Sequence, residues 1–597
     1  RRDSLFRMKD WLLQEKAPPD FFSEFPEYPS VVLQLLYDRG LKTQEQIDEF
    51  FNSDYGIHLQ DPYLFDEMAK AVDRIITAIR DKEKIIIYGD YDADGVCGSV
   101  VMHNTLSALG ADFDIYIPDR FSDGYGLNRK AMAEIVKQKV GVIITVDCGV
   151  TDKDEVDFAN EYGIDVIIVD HHLVPPEVPA AYAIIDAKKD GEKYAFKLFC
   201  ATGVAFKLAH ALLTTDFAKT ADVKEGFEKW LLDLVAIASI ADIVPLLGEN
   251  RTLVKYGLIV LEKTKRIGLK MLLSMPTNRV ANHSRKTATD KITSETIAFL
   301  VAPRINATSR MAHATTSFEL LVAQDKDAAR ELADRVEDLN NERRDLVEKI
   351  LKEIEVELKE AKAKDSLPAV IFKGKEAWPP GVVGLVANRL TDRYGRPTFI
   401  YGGAIGHFKG SCRGIDGFHV VQAMRYCQEK FPDLLMEFGG HPRAGGFAIS
   451  PEKLNNFEKY LLEFAEINLE GQILKPVIQI DAELRADDVN WELFDWLLQF
   501  EPYGEGNKKP VFIMKDMSIA SFKAVGKKED HLKMKLKSTL GNGAIKFFDC
   551  IGFGLSGRMI DDKIGDKVDI VFELEANEWN GTRELQLKLK DIKKSNE

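Results

Sequence analysis

Cysteine is scarce in this 597-residue chain, and its six residues (Cys97, Cys148, Cys200, Cys412, Cys427, Cys550) include no C-x-x-C pair. A disulfide framework and a thiolate zinc site are therefore not expected, and a reducing compartment fits. Long apolar runs are also missing. The best of them, such as Ile85–Tyr88 and Val142–Val146, have the length of buried strands and fall well short of the roughly 18 residues of a membrane span. The opening Arg-Arg-Asp-Ser has no apolar signal core, so export is not expected and a cytoplasmic location is; the missing Met suggests a trimmed start. No G-x-x-x-x-G-K-[ST] phosphate loop occurs, so ATP hydrolysis is not expected. Positive charge is not in excess: 80 Lys and Arg face 95 Asp and Glu, a net of −15. That excludes a wholly basic nucleic-acid binder while leaving room for a local basic groove.

With 45% hydrophobic and 29% charged residues the composition is that of a globular protein. About one domain per 150 residues predicts three to five domains. From Lys84 to about Asp186, short β-branched runs (85–88, 113–117, 142–146, 166–169, 183–185) alternate with stretches of helical character, including 130–140 and 153–162. Near-continuous apolar strands alternating with helices predict a parallel sheet covered on both faces. Helices are expected over 203–213 and 226–240, and one long charged helix from Ser317 to Lys364, where Gly and Pro are absent. A second α/β unit runs from about Leu367 to Asn468. After Lys475 short strands and Gly-, Asn- and Lys-rich turns predict a small all-β domain, a five-stranded barrel. Between residues 508 and 597 there are 18 Lys and Arg against 14 Asp and Glu, a net of +4, so the rest of the chain carries −19.

Three strands of the first domain run into carboxylates: Gly89-Asp-Tyr-Asp-Ala-Asp-Gly95, Val146-Asp-Cys-Gly149 and Val169-Asp-His-His172. Ligands of open parallel sheets sit beyond the carboxyl ends of the strands, so these acids and imidazoles are expected in one crevice. Crowded carboxylates repel and resist burial. Hard divalent cations remove the conflict, and mixed Asp/His ligation suits Mn²⁺ or Mg²⁺. Taken singly, each Asp also reads as a helix N-cap or turn residue. A calcium loop is excluded, because its twelfth position is Val101 rather than Glu. Adjacent histidines arise by chance roughly 0.2 times per chain of this composition. Asp242 adds a further acid at the end of an apolar helix, where it opposes the helix dipole.

Asp170-His171-His172 resembles the tripeptide after which the DHH phosphoesterase superfamily is named. Tyr88-Gly-Asp-Tyr-Asp-Ala-Asp-Gly95, Ala302-Pro-Arg-Ile-Asn-Ala-Thr-Ser-Arg310, Trp378-Pro-Pro-Gly-Val-Val-Gly384, Gly410-Ser-Cys-Arg-Gly414 and Glu437-Phe-Gly-Gly-His-Pro-Arg-Ala-Gly-Gly446 resemble its RecJ branch of single-strand-specific 5′→3′ exonucleases. The resemblance extends over nearly the whole chain from about residue 60. It implies an α/β protein: a parallel-sheet DHH domain (61–316), a helical connector (317–366), a second α/β, DHH-associated domain (367–470) and an all-β OB fold (471–597), after an N-terminal segment (1–60) of open function.

The resemblance also implies roles. Asp92, Asp94, Asp147, His171 and Asp242 would hold two divalent ions, Mn²⁺ or Mg²⁺, with Asp147 bridging. Many superfamily members carry a His where this chain has Tyr88, so Asp90 is expected to act as a substitute ligand or a base. His172 would face the scissile phosphate. Arg304, Asn306 and Arg310 resemble a substrate-side loop; Gly439, Gly440 and His441 resemble the associated domain's motif. Arg120, Ser411 and Arg413 resemble a clamp for a 5′-terminal phosphate. Of the barrel's basic and aromatic residues, Lys523, Lys533 and Lys535, with Phe522 and Phe547, are candidates for tracking a single strand; a Lys-rich edge that discourages aggregation is the alternative. Single-stranded DNA is the expected partner, with a single-strand-binding protein and a helicase as protein partners and no membrane. A small-substrate phosphoesterase of the same superfamily and a non-catalytic replication scaffold are the competing readings.

Overall fold

The computed structural model describes residues 9–275, 291–363, 367–470, 476–558, 563–579 and 582–595. The start of the N-terminal segment (1–8), the end of the expected connector (364–366) and the first residues of the expected OB domain (471–475) lie outside the described residues. The chain forms two compact units, one from residues 41–342 with 499–509, the other from residues 1–40, 343–498 and 510–597.

Strand β1 (Asp10–Leu13) opens the described chain and belongs to the second unit. The first unit holds β2 (Lys84–Gly89), β3 (Phe113–Tyr116), β4 (Val140–Val146), β5 (Asp165–Val169) and β6 (Ala183–Ile185), all parallel, in the order β3-β2-β4-β5-β6. Successive side chains of a strand point to opposite faces. Ile85, Ile87, Val142, Ile144, Ile167 and Val169 therefore enter one core, while Ile86, Tyr88, Ile143, Val166 and Ile168 enter another on the far side. Burial on both faces is the reason these strands read as unbroken apolar runs. The order reverses around β2 and β4, which opens a crevice beyond their carboxyl ends.

Two expected helices are each interrupted. The stretch 226–240 divides into a tight turn, Phe227–Leu231, and the helix Leu232–Ala241. The expected 317–364 helix divides into Thr315–Val322 and Lys326–Ala363. Asp325 causes this second break: its carboxylate accepts the amides of Asp327 and Ala328 and starts a new helix. That long helix carries a buried apolar stripe, with Ala329, Ala333 and Val336 in the first unit's core. Residues 499–509 join the first unit through the buried Arg251, which donates to the carbonyls of Phe50, Gln499, Phe500 and Glu501 at 2.7–3.0 Å.

In the second unit β7 (Ile371–Lys375), β8 (Thr398–Ala404), β9 (His407–Arg413), β10 (Glu437–His441) and β11 (Ala444–Ile449) form a mixed sheet in the order β10-β11-β9-β8-β7. Helices Pro380–Tyr394, Val420–Lys430 and Leu454–Leu469 accompany it. After β12 (Val477–Ile480) and the two-residue β13 (Ala482–Glu483) come β14 (Phe512–Val525), β15 (His531–Thr539), β16 (Ile545–Gly552), β17 (Lys567–Trp579) and β18 (Thr582–Lys594). The last five close on themselves through the β14–β17 pairing, a five-stranded barrel as expected from the sequence. Part of the N-terminal segment belongs here. β1 pairs in parallel with β12, and Trp11 Nε1 donates to the buried Asp591 at 3.0 Å.

Candidate metal centre and nucleic-acid surfaces

The metal centre grows from the ends of β2, β4 and β5. After β2 the chain turns directly into the helix Ala93–Ala108, capped by Asp92, whose Oδ1 accepts the amides of Asp94 and Gly95 at 2.8 and 3.2 Å. Capping occupies one oxygen and leaves the other for a ligand, so the two readings of this Asp coexist. A Cβ on Gly95 would meet the Asp90 carbonyl oxygen at 2.6 Å, so only glycine lets this turn close on Asp90. Asp94 is buried, and its two oxygens accept the amides of Thr202 and Ala201 at 2.8 and 2.7 Å at the start of the helix Ala201–Leu213. After β4, Asp147 adopts a left-handed backbone (φ 67°) and is buried.

After β5, Asp170 is fully buried and organises both histidines. It accepts the amides of His171 and His172 at 2.7 and 3.2 Å and sits 2.8 Å from His172 Nδ1. Burial works against its charge, but the hydrogen bond and charge of His172, with the charge of His171, outweigh it and hold the carboxyl below its usual value. His171 Nε2 lies 3.3 Å from Asp147 Oδ1 and 3.9 Å from Asp94 Oδ2, and its Nδ1 lies 3.8 Å from Asp242 Oδ2.

The ligand atoms of Asp147, His171 and His172, of Asp94, His171 and Asp242, and of Asp90, Asp92 and Asp147 fall into three groups, each within 4.8 Å. All five expected ligands, with Asp90 and His172, therefore meet in one place. Asp90 and Asp147 are pushed well above the usual carboxylate value, first by burial and then by neighbouring acids, and Asp242 is pushed up to about 8 by burial and by Asp94 and Asp92. Asp90 Oδ1 and Asp147 Oδ1 are buried without a hydrogen-bond partner. Orphaned carboxylate oxygens in a crowd of acids fit a hard divalent cation.

Several residues that the sequence reading did not nominate support this centre. Thr202 is described above; Asp170 was expected in the crevice as part of the Asp-His-His tripeptide, without its role of orienting both histidines. The Tyr125 hydroxyl donates to the Asp147 carbonyl at 3.0 Å and lies 3.1 Å from His172 Nδ1. Lys188 Nζ donates to the His171 carbonyl. Asp186, fully buried directly after β6, is pushed up to about 7, chiefly by burial. Asp186 follows the same strand-end rule as the nominated acids and was within reach of it; Thr202 and Lys188 carry no local signal.

The expected substrate-side residues divide. Asn306 Oδ1 accepts the amide of Ala93 at 2.9 Å, which fixes the turn bearing Asp92 and Asp94. Arg310, one helical turn later, acts electrostatically on Tyr91, and Arg120 stacks over the same ring at 4.8 Å. Arg304 is different: it is 2% exposed, and its Nε donates to Glu337 at 2.5 Å. The helix Ala302–Met311 turns this side chain into the unit's interior, where it ties two helices together, while Asn306 lies on a face toward the metal-bearing turn.

In the second unit, Arg413 Nη1 donates to Ser411 Oγ at 3.0 Å and to the Cys412 carbonyl at 2.8 Å, on β9. Cross-strand register aligns Ser411 with Gly446 and Gly446 with Gly439. Gly439, Gly440 and His441 are exposed on the edge strand β10, and a Cβ added at Gly439 would meet nothing within 4 Å. A side chain on Gly440 (φ 132°) would strike the Ala444 carbonyl oxygen at 2.4 Å. On the barrel, β15 alternates: Leu532, Met534 and Leu536 are buried, while Lys533 and Lys535 point outward. Lys523 stands opposite Lys533, Lys535 is 3.5 Å from Asp549, and Phe547 is 55% exposed opposite Lys537.

A parallel sheet with acids and paired histidines at its switch point defines a DHH-type phosphoesterase centre, and residues 84–239 match the DHH family, N-terminal domain. Residues 367–466 match the DHHA1 domain and 480–591 the RecJ OB domain. The single-stranded-DNA-specific exonuclease RecJ of Bacillus subtilis is 37% identical, covering 94% of this chain and 67% of that protein. The Dickeya dadantii RecJ is 30% identical over 97% of this chain and 99% of its own length. A crystal structure of Thermus thermophilus RecJ with Mn²⁺ aligns with 100% of this chain and 81% of that one, at a TM-score of 0.79 and 26% identity; a Mg²⁺ complex aligns at 0.73. The chain belongs to the RecJ family. Among the described residues, no helix is long and apolar enough to cross a membrane.

Proposed function

We propose that this protein is a metal-dependent exonuclease specific for single-stranded DNA, which works 5′→3′ and releases 5′-mononucleotides in DNA repair and recombination. The observation that carries the reading is the convergence of Asp90, Asp92, Asp94, Asp147, His171, His172 and Asp242 at the switch point of the sheet, with two buried carboxylate oxygens left without a hydrogen bond. In this reading Asp92, Asp94, Asp147, His171 and Asp242 hold two Mn²⁺ or Mg²⁺ ions. Asp147 would be the bridge: among the described residues it is the one carboxylate that belongs to two of the three clusters, and a carboxylate has two oxygens to share. When bound, the ions neutralise charge on the scissile phosphate and lower the pKa of the nucleophilic water.

The chain's own residues do the rest. Asp170 fixes the orientation of His172 through Nδ1, which leaves Nε2 to hold a proton toward the phosphate. Asp94 and Asp92 are locked by backbone amides, so their free lone pairs are aimed before any ion arrives. Arg413 and Ser411, beside the bare glycine surface of β10 and β11, take the 5′-terminal phosphate, while Arg120, stacked over Tyr91, serves the strand as a cation within its own unit. The outward lysines of β15 and the exposed Phe547 track the strand by charge and stacking. The protein works in the cytoplasm, where a helicase and a single-strand-binding protein supply and hold the strand.

Digestion of 5′-labelled single- and double-stranded oligonucleotides in Mn²⁺, Mg²⁺ or EDTA tests the reading. The expected result is loss of the label as a mononucleotide from single strands alone, with either metal, and with KM raised in Arg413→Ala more than kcat is lowered. Ladders shortened from the 3′ end, or activity that survives EDTA, would refute it.

A further inference from the structure

The helix Leu232–Ala241 ends in a turn that closes its last carbonyls: the amide of Ile243 donates to Ile240 at 3.3 Å and that of Val244 to Ser239 at 3.2 Å. This pairing requires a left-handed residue just past the cap, a place that glycine or asparagine usually fills. Here it holds Ile243, with φ 60°. A β-branched side chain strongly disfavours that conformation. Burial does not compensate, because Ile243 is 67% exposed.

The position of this residue gives the cost a meaning. Ile243 directly follows Asp242, whose Oδ2 lies 3.8 Å from His171 Nδ1, so the strained residue adjoins a member of the metal cluster along the chain. Leu173, 68% exposed, directly follows His172 in the same way. Two exposed apolar residues thus directly follow members of the metal clusters along the chain, and one of them stands where glycine would serve the backbone better. Strain retained beside a reacting centre points to a role there.

We propose that Ile243 is a substrate-positioning residue: its side chain packs against the apolar face of the nucleoside whose phosphate occupies the metal centre, with Leu173 as a second contact. The proposal rests on the exonuclease reading above. Sugar carbons and base faces are common to all four nucleotides, so such a contact places the substrate without reading its sequence.

The test compares full-length Ile243→Gly, Ile243→Asn and Ile243→Val with the parent. Glycine and asparagine fit the left-handed position, so both variants should melt no lower than the parent. Both should bind Mn²⁺ with an affinity within about twofold of the parent while raising KM for 5′-phosphorylated single strands on the order of tenfold, with kcat little changed. Ile243→Val should restore the parent KM. Anisotropy of a labelled 5′-phosphorylated strand in Ca²⁺ should show the same weakening without turnover. Unchanged KM and binding, a Val variant that fails to restore them, or weakening accompanied by lost Mn²⁺ affinity would each overturn the proposal, the last by showing that Ile243 acts through Asp242. A parent that binds strands through Ile243 but does not degrade them would overturn the exonuclease reading alone.

Discussion

Thr202 holds Asp94 twice, its amide donating to the carboxylate at 2.8 Å and its hydroxyl to the Asp94 carbonyl at 2.7 Å. The start of one helix thus orients an acid at the start of another, and the positive helix end favours the carboxylate's charge. Thr202→Val should cost about 1–2 kcal/mol of stability for the lost buried hydrogen bond. It should also weaken Mn²⁺ binding on the order of tenfold, because an aimed ligand becomes a loose one. Thr202→Ser should recover both. Thermal melting and calorimetric Mn²⁺ titration measure the pair, and a destabilised Val variant with unchanged metal affinity would show that Thr202 is merely structural.

Asp147→Asn should separate stability from activity. Asn tolerates the left-handed backbone at this position and removes one charge from a buried crowd. In EDTA the variant should melt higher than the parent, by about 1–2 kcal/mol of stability. Its turnover in Mn²⁺ should fall more than about a hundredfold, since a bridging acid serves both ions. Residual activity above a hundredth of the parent would remove the bridging role.

The metal-free protein should lose stability as pH rises. Burial lifts Asp186 to about 7 and, with Asp94 and Asp92, lifts Asp242 to about 8. Carboxyls whose folded pKa lies above the unfolded value stabilise the fold when protonated, and that contribution disappears as pH climbs through about 7–8. The melting temperature in EDTA should therefore fall from pH 6 to pH 9. Mn²⁺ should cancel the part of the fall that Asp242 contributes, because the cation takes over from its proton, and leave the part due to Asp186. A flat profile in EDTA would contradict the crowding on which the metal centre is argued.

Deleting the barrel would be a poor test of strand tracking, because β1 pairs with β12 and Trp11 bonds to Asp591 of β18. Charge removal is cleaner. Replacing Lys523, Lys533 and Lys535 together by Ala should weaken binding to long single strands and flatten the dependence of log affinity on log salt by about 2, at about 0.7 per phosphate contact. The ion pair of Lys535 with Asp549 makes that lysine the weakest contributor of the three. An unchanged slope would turn the lysine face into a solvated edge.

Much of this architecture is local and was legible along the chain. Apolar β-branched runs announce β2, β4 and β5, the acid after each follows from position alone, and β15 shows its two faces by strict alternation. Less legible were features with two local readings. Asp92 looks like a cap and is one, yet its carboxylate also joins a metal cluster. The Ser317–Lys364 stretch has uniform helical propensity, and only the bonds made by Asp325 show where it breaks.

By itself the sequence determined the strands, the acids at their ends, the paired histidines and the basic barrel, because each depends on side-chain period and neighbours a few residues apart. Tertiary structure decided which of these groups meet. Asp94 is oriented by amides 107 and 108 residues away, Arg304 turns inward to Glu337, and β1 finds a partner strand beyond residue 476. Contacts at such separations leave no periodic trace, since they are selected by the burial of whole faces and by the pairing of every polar group that burial would otherwise strand.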